Sequence, residues 1–386
     1  MIININRLRQ RGKVPYSDMT EEELFKLKTD LFEAYYDCRR NKRNTINAIA
    51  FEVNFEKKVQ ELYEEVASQT YLPGRSVAFL VYNPVMREIF AADFRDRVIH
   101  HFVINRINPI FERMFIYDTY SCREEKGTLF GIARAEHYMR SCSNNYTRDC
   151  YVLKLDIQGF FMHIKRETLF QKVSKVIRER YFEPDKEILL YLYEKIIFQN
   201  PVEDCLMKGD WTEWDKLPKS KSLFHMPEGF GLPIGNLTSQ VFANVYLNDF
   251  DHFVKRTLKV RYYGRYVDDF FLMDTSKEKL LHQREQIRSY LKTMLDLDVH
   301  PKKEYLQHYS KGFSFLGAYI KPYRRYIGNR IVKNLNILLH ETDWMTDYDF
   351  LTGAGREKRD EKITSYFGLM KHFKTYRLVE KIKGII

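Results

Sequence analysis

The stretch RYYGRYVDDFFLMD, residues 261–274, constrains the fold of this chain more than any other. Two aromatic, β-prone runs, at residues 260–266 and 270–273, predict two strands joined by a tight reversal. Asp268 and Asp269 lie at or near that reversal, and an ordinary polar turn is one interpretation of them. Adjacent carboxylates between aromatic runs repel each other and are partly desolvated, and a bound metal ion would convert the repulsion into attraction. The metal hypothesis requires a third carboxylate elsewhere in the chain.

That third carboxylate is Asp156, within YVLKLDIQGFF at residues 151–161, which is predicted to form a buried strand that ends at Gly159. A buried aspartate is costly unless it is paired or binds a metal. An ion pair with Lys154 or Arg166 is the alternative. Three such aspartates are enough to hold two Mg²⁺ ions about 4 Å apart, with substrate phosphates completing the coordination.

Composition restricts the classes of partner. The chain has 386 residues, 44% of them hydrophobic, and a formal net charge of +11, which favours nucleic acid or an acidic membrane surface. The sequence has neither an 18-residue apolar run nor a signal-peptide pattern, so we expect a soluble, cytoplasmic protein without a membrane partner. The five cysteines form no C-x-x-C pair and are expected to be free structural thiols.

Patterns along the chain predict a succession of helices and strands. A capping box at Thr20 and Glu23 begins a first helix. The basic cluster at 39–43 that follows is either a solvated connection or a phosphate contact. The further predicted elements are a helix around 49–66, extended chain at 76–90 with a turn at Asn83-Pro84, a helix at 95–114, an irregular basic insertion at 183–230, a long helix at 236–258, a helix at 277–296, a strand at 312–320, a hairpin at 320–330 and a helical tail from Ile331.

Three segments resemble the ordered motifs of reverse transcriptases: LDIQGFF, then GLPIGNLTSQ, then YVDD after an aromatic strand. The resemblance covers roughly residues 45–330. It implies an α+β fold of the right-hand polymerase type, with fingers, a palm made of an antiparallel sheet backed by helices, and a small helical thumb. The implied division is N-terminal helices and fingers at 1–140, palm at 141–320 with a fingers or insertion segment at about 171–235, and thumb at 321–386.

Within the family, the chain looks most like the reverse transcriptases of diversity-generating retroelements. The segments that carry this resemblance are MREIFAADFRDRVIHH, YSCREEKGT, PKSKSLF, and FLGAYI followed by RRYIGNR. Those enzymes copy a template RNA with frequent errors at adenines, and the cDNA replaces a variable region of a target gene. The resemblance implies template RNA, primer or cDNA, dNTPs and a small basic oligomeric accessory protein as partners. The alternatives are a retron, antiphage or intron-type reverse transcriptase, or an inactive polymerase-like RNA-binding scaffold.

The resemblance also implies catalytic roles. Asp156 and Asp268 would be the principal ligands of two Mg²⁺ ions, with Mn²⁺ as a substitute, while Asp269 and the Ile157 carbonyl complete the sites. Lys303 matches the lysine that protonates leaving pyrophosphate, and Lys302 is its close competitor. The residues matching the hairpin that positions the primer terminus are Phe315, Leu316 and Gly317.

Several residues match nucleotide-binding positions. Phe161 matches the aromatic steric gate that excludes a ribose 2′-hydroxyl, and simple core packing is its alternative. Arg87 matches the arginine that grips the triphosphate, and a salt bridge with Glu88 or Asp93 is its alternative. Met86 precedes Arg87 where relatives often carry lysine. The remaining residues implied to contact the dNTP are Ile157, Phe160, Ile234, Gly235 and Gln240.

GLPIGNLTSQ departs from the usual pattern at two positions. Most reverse transcriptases carry Gln and Pro where this chain has Ile234 and Gln240, and the diversity-generating enzymes share the change. An aliphatic side chain cannot hydrogen-bond, so selection of the correct base should depend less on precise placement of the nucleotide. Filling an apolar wall is the alternative role of Ile234.

Overall fold

The computed structural model describes residues 19–40, 45–82, 85–340 and 354–383. The chain divides into two compact units, Met1–Tyr117 with Gln158–His252 and Asp118–Ile157 with Phe253–Ile386. Each unit is built from two separate stretches of chain, and neither ends at the predicted boundaries 140/141 and 320/321. The division into fingers, palm and thumb stays a prediction.

Helices and strands alternate irregularly along the chain. The helices are α1 (Glu21–Arg39), α2 (Ile46–Glu52), α3 (Phe55–Ala67), α4 (Phe94–Met114), α5 (Thr128–Cys142), α6 (Phe160–His163), α7 (Arg166–Arg180), α8 (Lys186–Phe198), α9 (Leu237–Tyr246), α10 (Asn248–His252), α11 (Lys277–Tyr290), α12 (Asn329–His340), α13 (Ala354–Met370) and α14 (Tyr376–Lys383). The strands are β1 (Ser76–Val81), β2 (Arg87–Ala91), β3 (Tyr151–Asp156), β4 (Cys205–Met207), β5 (Tyr262–Tyr266), β6 (Asp269–Asp274), β7 (Tyr305–His308), β8 (Phe313–Phe315), β9 (Ala318–Lys321) and β10 (Arg324–Ile327).

The first unit is mainly helical, with one small sheet. The predicted capping box is confirmed, since the Thr20 backbone N–H donates to Glu23 at 2.7 Å and the Glu23 N–H donates to Thr20 at 3.2 Å. Strands β1 and β2 form an antiparallel hairpin, and β4 adds to β1 in parallel. The predicted turn at Asn83-Pro84 and residues 41–43 of the basic cluster lie outside the described residues.

The second unit is built on an antiparallel sheet in the order β5-β6-β3-β7. Helices α5 and α11 pack against this sheet. A second sheet, β10-β9-β8, shares an aromatic core with it, in which the Phe271 ring lies 5.0 Å from that of Phe315. The predicted α+β class, with an antiparallel sheet backed by helices, is confirmed.

Four local predictions need correction. The segment 183–230 is not irregular throughout, because its apolar residues at helical spacing form α8. The helix predicted around 49–66 breaks at Asn54, whose φ is +66°. The long helix predicted at 236–258 is three successive pieces, α9, α10 and a π-helical turn at Phe253–Thr257. The strand predicted at 312–320 is the hairpin β8–β9.

Two further findings concern the whole described chain. None of the five cysteines forms a disulfide bond, as predicted. Within the described ranges, none of the helices combines the length and the apolar character needed to cross a membrane.

Candidate active site

Strand pairing brings the three predicted carboxylates to one end of the four-stranded sheet. Asp156 is the last residue of β3 and lies directly opposite Asp269, the first residue of β6. Asp268 precedes Asp269, and its carbonyl accepts a hydrogen bond of 3.0 Å from the Ile157 N–H. Asp156 is 8% exposed and Ile157 is fully buried. Asp156 and Asp269, which are 113 positions apart in sequence, therefore meet because β3 and β6 are antiparallel neighbours.

The predicted reversal is confirmed as a two-residue connection. Tyr266 pairs with Asp269, which leaves Val267 and Asp268 at the tip. Val267 has a φ of +56°, in the left-handed region where glycine is the usual residue. A β-branched side chain is rare there, so the backbone at this tip is strained.

Two lysines each pair with one of the three carboxylates. Lys303 Nζ lies 2.8 and 3.0 Å from the two carboxylate oxygens of Asp156, and Lys154 Nζ lies 2.7 Å from Asp269. The predicted alternative, an ion pair of Asp156 with Lys154 or Arg166, is thus replaced by one with Lys303. The backbone N–H of Lys302 donates instead to His300 Nδ1 at 3.2 Å. Of the two competing lysines, Lys303 is the one whose ammonium group contacts Asp156.

The electrostatics of this end of the sheet favour a cation. Burial, followed by repulsion from Asp156 and Asp269, raises the pKa of Asp268 to about 6, although Lys303 opposes the shift. Burial also raises the pKa of Asp269, against the attraction of Lys154. Burial is the larger cause of both shifts, and repulsion among the three carboxylates adds to it. A divalent cation would relieve that repulsion.

The donor set fits a hard divalent cation, because Mg²⁺ prefers carboxylate oxygens. Across the described parts of the chain, however, no group of three His, Cys, Asp or Glu side chains has a geometry that could hold a metal ion. The structure therefore brings three carboxylates that repel one another to one end of the sheet, and Lys303 and Lys154 each pair with one of them.

Apart from Ile157, the predicted nucleotide-binding residues belong to the first unit, where the GLPIGN segment is hydrogen-bonded to β2 and the residue after it. The Phe90 N–H donates to the Ile234 carbonyl at 2.9 Å, and the Ala92 N–H donates to the Asn236 side chain at 3.1 Å. Gly235 has a φ of +121°, and a Cβ there would lie 2.8 Å from Ile89 Cγ2. The segment and the strand that begins at Arg87 therefore form one structural piece.

Phe161 and Ile234, the predicted gate and the unusual aliphatic residue, pack against the same apolar cluster. Its buried members are Ala78, Phe90, Met162, Trp214 and Leu223. Both packing residues are half-buried, so each retains an accessible part. Phe160 is only 2% exposed, and its ring lies 6.3 Å from that of Tyr246. Phe160 is thus a core residue that supports its neighbour.

Arg87 is exposed at the start of β2, and the buried Glu88 beside it was considered from the sequence only as an ion-pair partner of Arg87. Glu88 is 1% exposed, and its carboxylate accepts three hydrogen bonds, so it is committed to partners other than Arg87. The donors are Trp214 Nε1 at 2.9 Å, Ser222 Oγ at 2.7 Å and the Leu223 N–H at 2.7 Å. Glu88 therefore attaches the 211–223 segment to β2. The PKSKSLF motif contains two of the three donor residues and was the available signal.

The remaining predicted residues lie at a helix start, on a helix surface and in a hairpin. Asp93 caps α4 by accepting from the Arg95 N–H at 3.0 Å, and Gln240 is exposed on α9. Leu316 and Gly317, with φ values of +51° and +79°, form the tip of the β8–β9 hairpin, while Phe315 is buried. A two-residue tip with positive φ at both positions is the common twisted hairpin turn.

An antiparallel sheet with clustered aspartates at one end is typical of nucleic-acid polymerases that transfer nucleotidyl groups. The family described as reverse transcriptase (RNA-dependent DNA polymerase) matches residues 85–320, more than half of the chain, including all three aspartates. The chain belongs to the reverse transcriptase family. Its enzyme class is therefore that of the RNA-directed DNA polymerases, which are nucleotidyltransferases.

Individual relatives are distant. Protein YkfC of Escherichia coli (strain K12) is 23% identical over 325 residues, which cover 75% of this chain and 78% of YkfC. Among solved structures, apo telomerase from Candida tropicalis, truncated from the C-terminal domain, has a TM-score of 0.46 and 12% identity over 66% of this chain. Telomerase from Candida albicans, in complex with a fragment of telomeric RNA, has a TM-score of 0.47 and 10% identity over 86% of this chain. The similar regions span 55% and 61% of those two telomerase chains.

Proposed function

We propose that this protein copies a template RNA into error-prone, adenine-mutagenised cDNA for diversity generation, by nucleotidyl transfer with two Mg²⁺ ions. Asp156, Asp268 and Asp269 would hold the metal ions, with the Ile157 carbonyl completing a site. Bound Mg²⁺ would supply activation of the primer 3′-hydroxyl and charge stabilisation at the phosphates. The proposed partners are template RNA, primer or growing cDNA, dNTPs and a small basic oligomeric accessory protein.

The remaining roles fall to side chains of this chain. Arg87, which is exposed on β2, would bind the triphosphate through charge-assisted hydrogen bonds. Phe161 would occupy the volume of a ribose 2′-hydroxyl. Lys303, whose ammonium group lies 2.8 Å from Asp156, would give a proton to leaving pyrophosphate. Phe315, Leu316 and Gly317 would position the primer terminus.

The observation that carries the diversity-generating role is Ile234. Its side chain packs on the apolar cluster together with Phe161, and its carbonyl is held by Phe90. An amide at this position could donate or accept a hydrogen bond, and its loss removes about 1–1.5 kcal/mol of positional support. Since 1.4 kcal/mol is about tenfold in rate, base selection would weaken by roughly that factor, most at weakly paired template bases.

The test is to sequence cDNA made by wild-type protein and by Ile234→Gln on one RNA template. We expect wild-type errors to concentrate opposite template adenines, and Ile234→Gln to lower them without abolishing synthesis. Leu80→Gln is the matched control, because Leu80 packs on the same cluster and should leave the error pattern unchanged. Errors spread evenly over the four bases, or an accurate wild type, would instead favour a retron, antiphage or intron-type enzyme. Absence of any synthesis would favour a scaffold.

A further inference from the structure

Arg265 is an unusual residue to find inside the catalytic hairpin. It lies on β5, three residues before Asp268, and is the largest of the fully buried side chains in the described chain, with 0% exposure. Arginine is almost never fully buried unless its donors are satisfied. One donor is accounted for within the hairpin itself, since Arg265 Nη1 lies 2.8 Å from the Val267 carbonyl oxygen.

The carbonyl that Arg265 holds belongs to the strained residue of the tip. Val267 has a φ of +56°, which a β-branched residue avoids unless its surroundings impose it. On the other side of the tip, the Ile157 N–H donates to the Asp268 carbonyl at 3.0 Å. The two peptide groups that enclose the Asp268 α-carbon and its side chain are thus each fixed by one hydrogen bond.

The backbone of Arg265 is fixed as well. Its backbone N–H donates to the Asp118 carbonyl, and its own carbonyl accepts from the Tyr120 N–H, each at 3.0 Å. The Asp118 carboxylate is in turn held by Arg134 at 2.8 and 3.2 Å and by the Tyr120 hydroxyl at 3.1 Å. A Cβ on Gly264 would collide with the same hydroxyl. Arg265 therefore extends from an immobilised strand toward the tip.

We propose that Arg265 is a positioning residue for catalysis, whose guanidinium group keeps the Val267 peptide in the conformation that presents Asp268. The inference rests on the proposed function, because it assumes that Asp268 acts in nucleotidyl transfer. Arg265 is fully buried, so it acts on the rate of the chemical step and not on nucleic-acid binding. A glycine at position 267 adopts the left-handed conformation without strain and makes the restraint less necessary.

The experiment measures single-turnover addition of one dNTP to a DNA primer on an RNA template with Mg²⁺. Arg265→Met removes every side-chain donor and keeps an unbranched apolar side chain in the place of the arginine stem. We expect at least a tenfold lower rate at saturating dNTP and a primer–template Kd within twofold of wild type. In the Val267→Gly background, the same substitution should lower the rate at saturating dNTP by threefold or less. Arg261→Met is the control, because Arg261 immediately precedes β5, is exposed and stacks over Tyr262.

Equal losses in the wild-type and Val267→Gly backgrounds, or a loss explained by weaker primer–template binding, would overturn the inference. If Arg265→Met does not fold, Arg265→Lys replaces it, with a smaller loss in the same direction that Val267→Gly again reduces. A wild-type rate in the folded lysine variant would also overturn it. An inactive wild type would overturn the proposed function and this inference together, whereas an active wild type that is insensitive to Arg265→Met overturns the inference alone.

Discussion

At the scale of single residues, the catalytic assignment depends most directly on Asp268. Asp268→Asn keeps the shape of the side chain and removes the charge that a divalent cation requires. We expect RNA-templated primer extension with Mg²⁺ to fall about a thousandfold or more, since removing transition-state charge stabilisation costs several kcal/mol. The measurement is the extension rate, together with a thermal melt that checks the fold.

Asp274→Asn is the control for this substitution. Asp274 ends the same strand β6 at its opposite end and pairs with Lys279 at 2.7 Å. It should retain wild-type extension. Substantial extension by folded Asp268→Asn would remove Asp268 from the active site.

Sugar selection is the second residue-scale prediction. Phe161→Ala should raise incorporation of rNTPs relative to dNTPs by about tenfold or more, because the ring no longer fills the space of the 2′-hydroxyl. The ratio of the two incorporation rates measures this effect. Phe224→Ala is a matched control that loses a ring from the same apolar cluster. If both variants keep the wild-type ratio, Phe161 serves only the core.

At the scale of elements, helix α4 carries a histidine that makes stability depend on pH. His100 is 3% exposed, and burial, followed by repulsion from His101 and Arg97, lowers its pKa from 6.5 to about 3. A lowered histidine pKa contributes stability above pH 6.5, and that stability is lost as pH falls toward 3. The shift predicts a loss of about 2 kcal/mol between pH 7 and pH 5 from this residue.

Urea unfolding of wild type and His100→Gln at pH 7 and pH 5 checks the prediction. Between pH 7 and pH 5, the free energy of unfolding of the variant should fall by about 2 kcal/mol less than that of wild type, whatever the stability of the variant at pH 7. His282→Gln, at an exposed position, should retain the wild-type dependence. An equal pH dependence in His100→Gln would show that His100 is protonated in the native state.

At the scale of the whole molecule, the net charge of +11 predicts binding to template RNA that weakens steeply with salt. Lys371 and Lys374 are exposed in the basic C-terminal region. Lys371→Gln and Lys374→Gln should each reduce the slope of log Kd against log salt by about 0.7, with little dependence on RNA sequence. Filter binding from about 50 to 400 mM salt measures this slope. Lys292→Gln is the control, because Lys292 is already paired with Asp296 and Asp298.

A template-RNA Kd that does not change with salt concentration would contradict this electrostatic account. The cluster at 39–43 is less informative, because Arg39 is paired with Glu52 at 2.9 Å and Arg40 with Asp37 at 3.2 Å. Two cations of this cluster, which was interpreted as either a solvated connection or a phosphate contact, therefore already have acidic partners within the chain.

Much of the fold and of the site could be predicted because the signals are local. The two aromatic, β-prone runs on either side of Val267, Asp268 and Asp269 predicted the hairpin, and Thr20 with Glu23 predicted the start of α1. Helix α8 was missed although its apolar residues follow the helical period, because the prolines and tryptophans around it dominated the interpretation. The break at Asn54 needs a left-handed residue, which sequence patterns mark only weakly when it is not glycine.

The sequence by itself determined the chemistry available to this protein: three aspartates, a triphosphate-binding arginine candidate, an aromatic gate candidate and an aliphatic residue where an amide is usual. Only the tertiary structure decided which groups meet. Strand register set Asp156 opposite Asp269, and Lys303 rather than Lys154 or Arg166 took Asp156 as its partner. Glu88 and Arg265 became important only through burial, because a buried charge must find its hydrogen bonds in distant segments that no local pattern records.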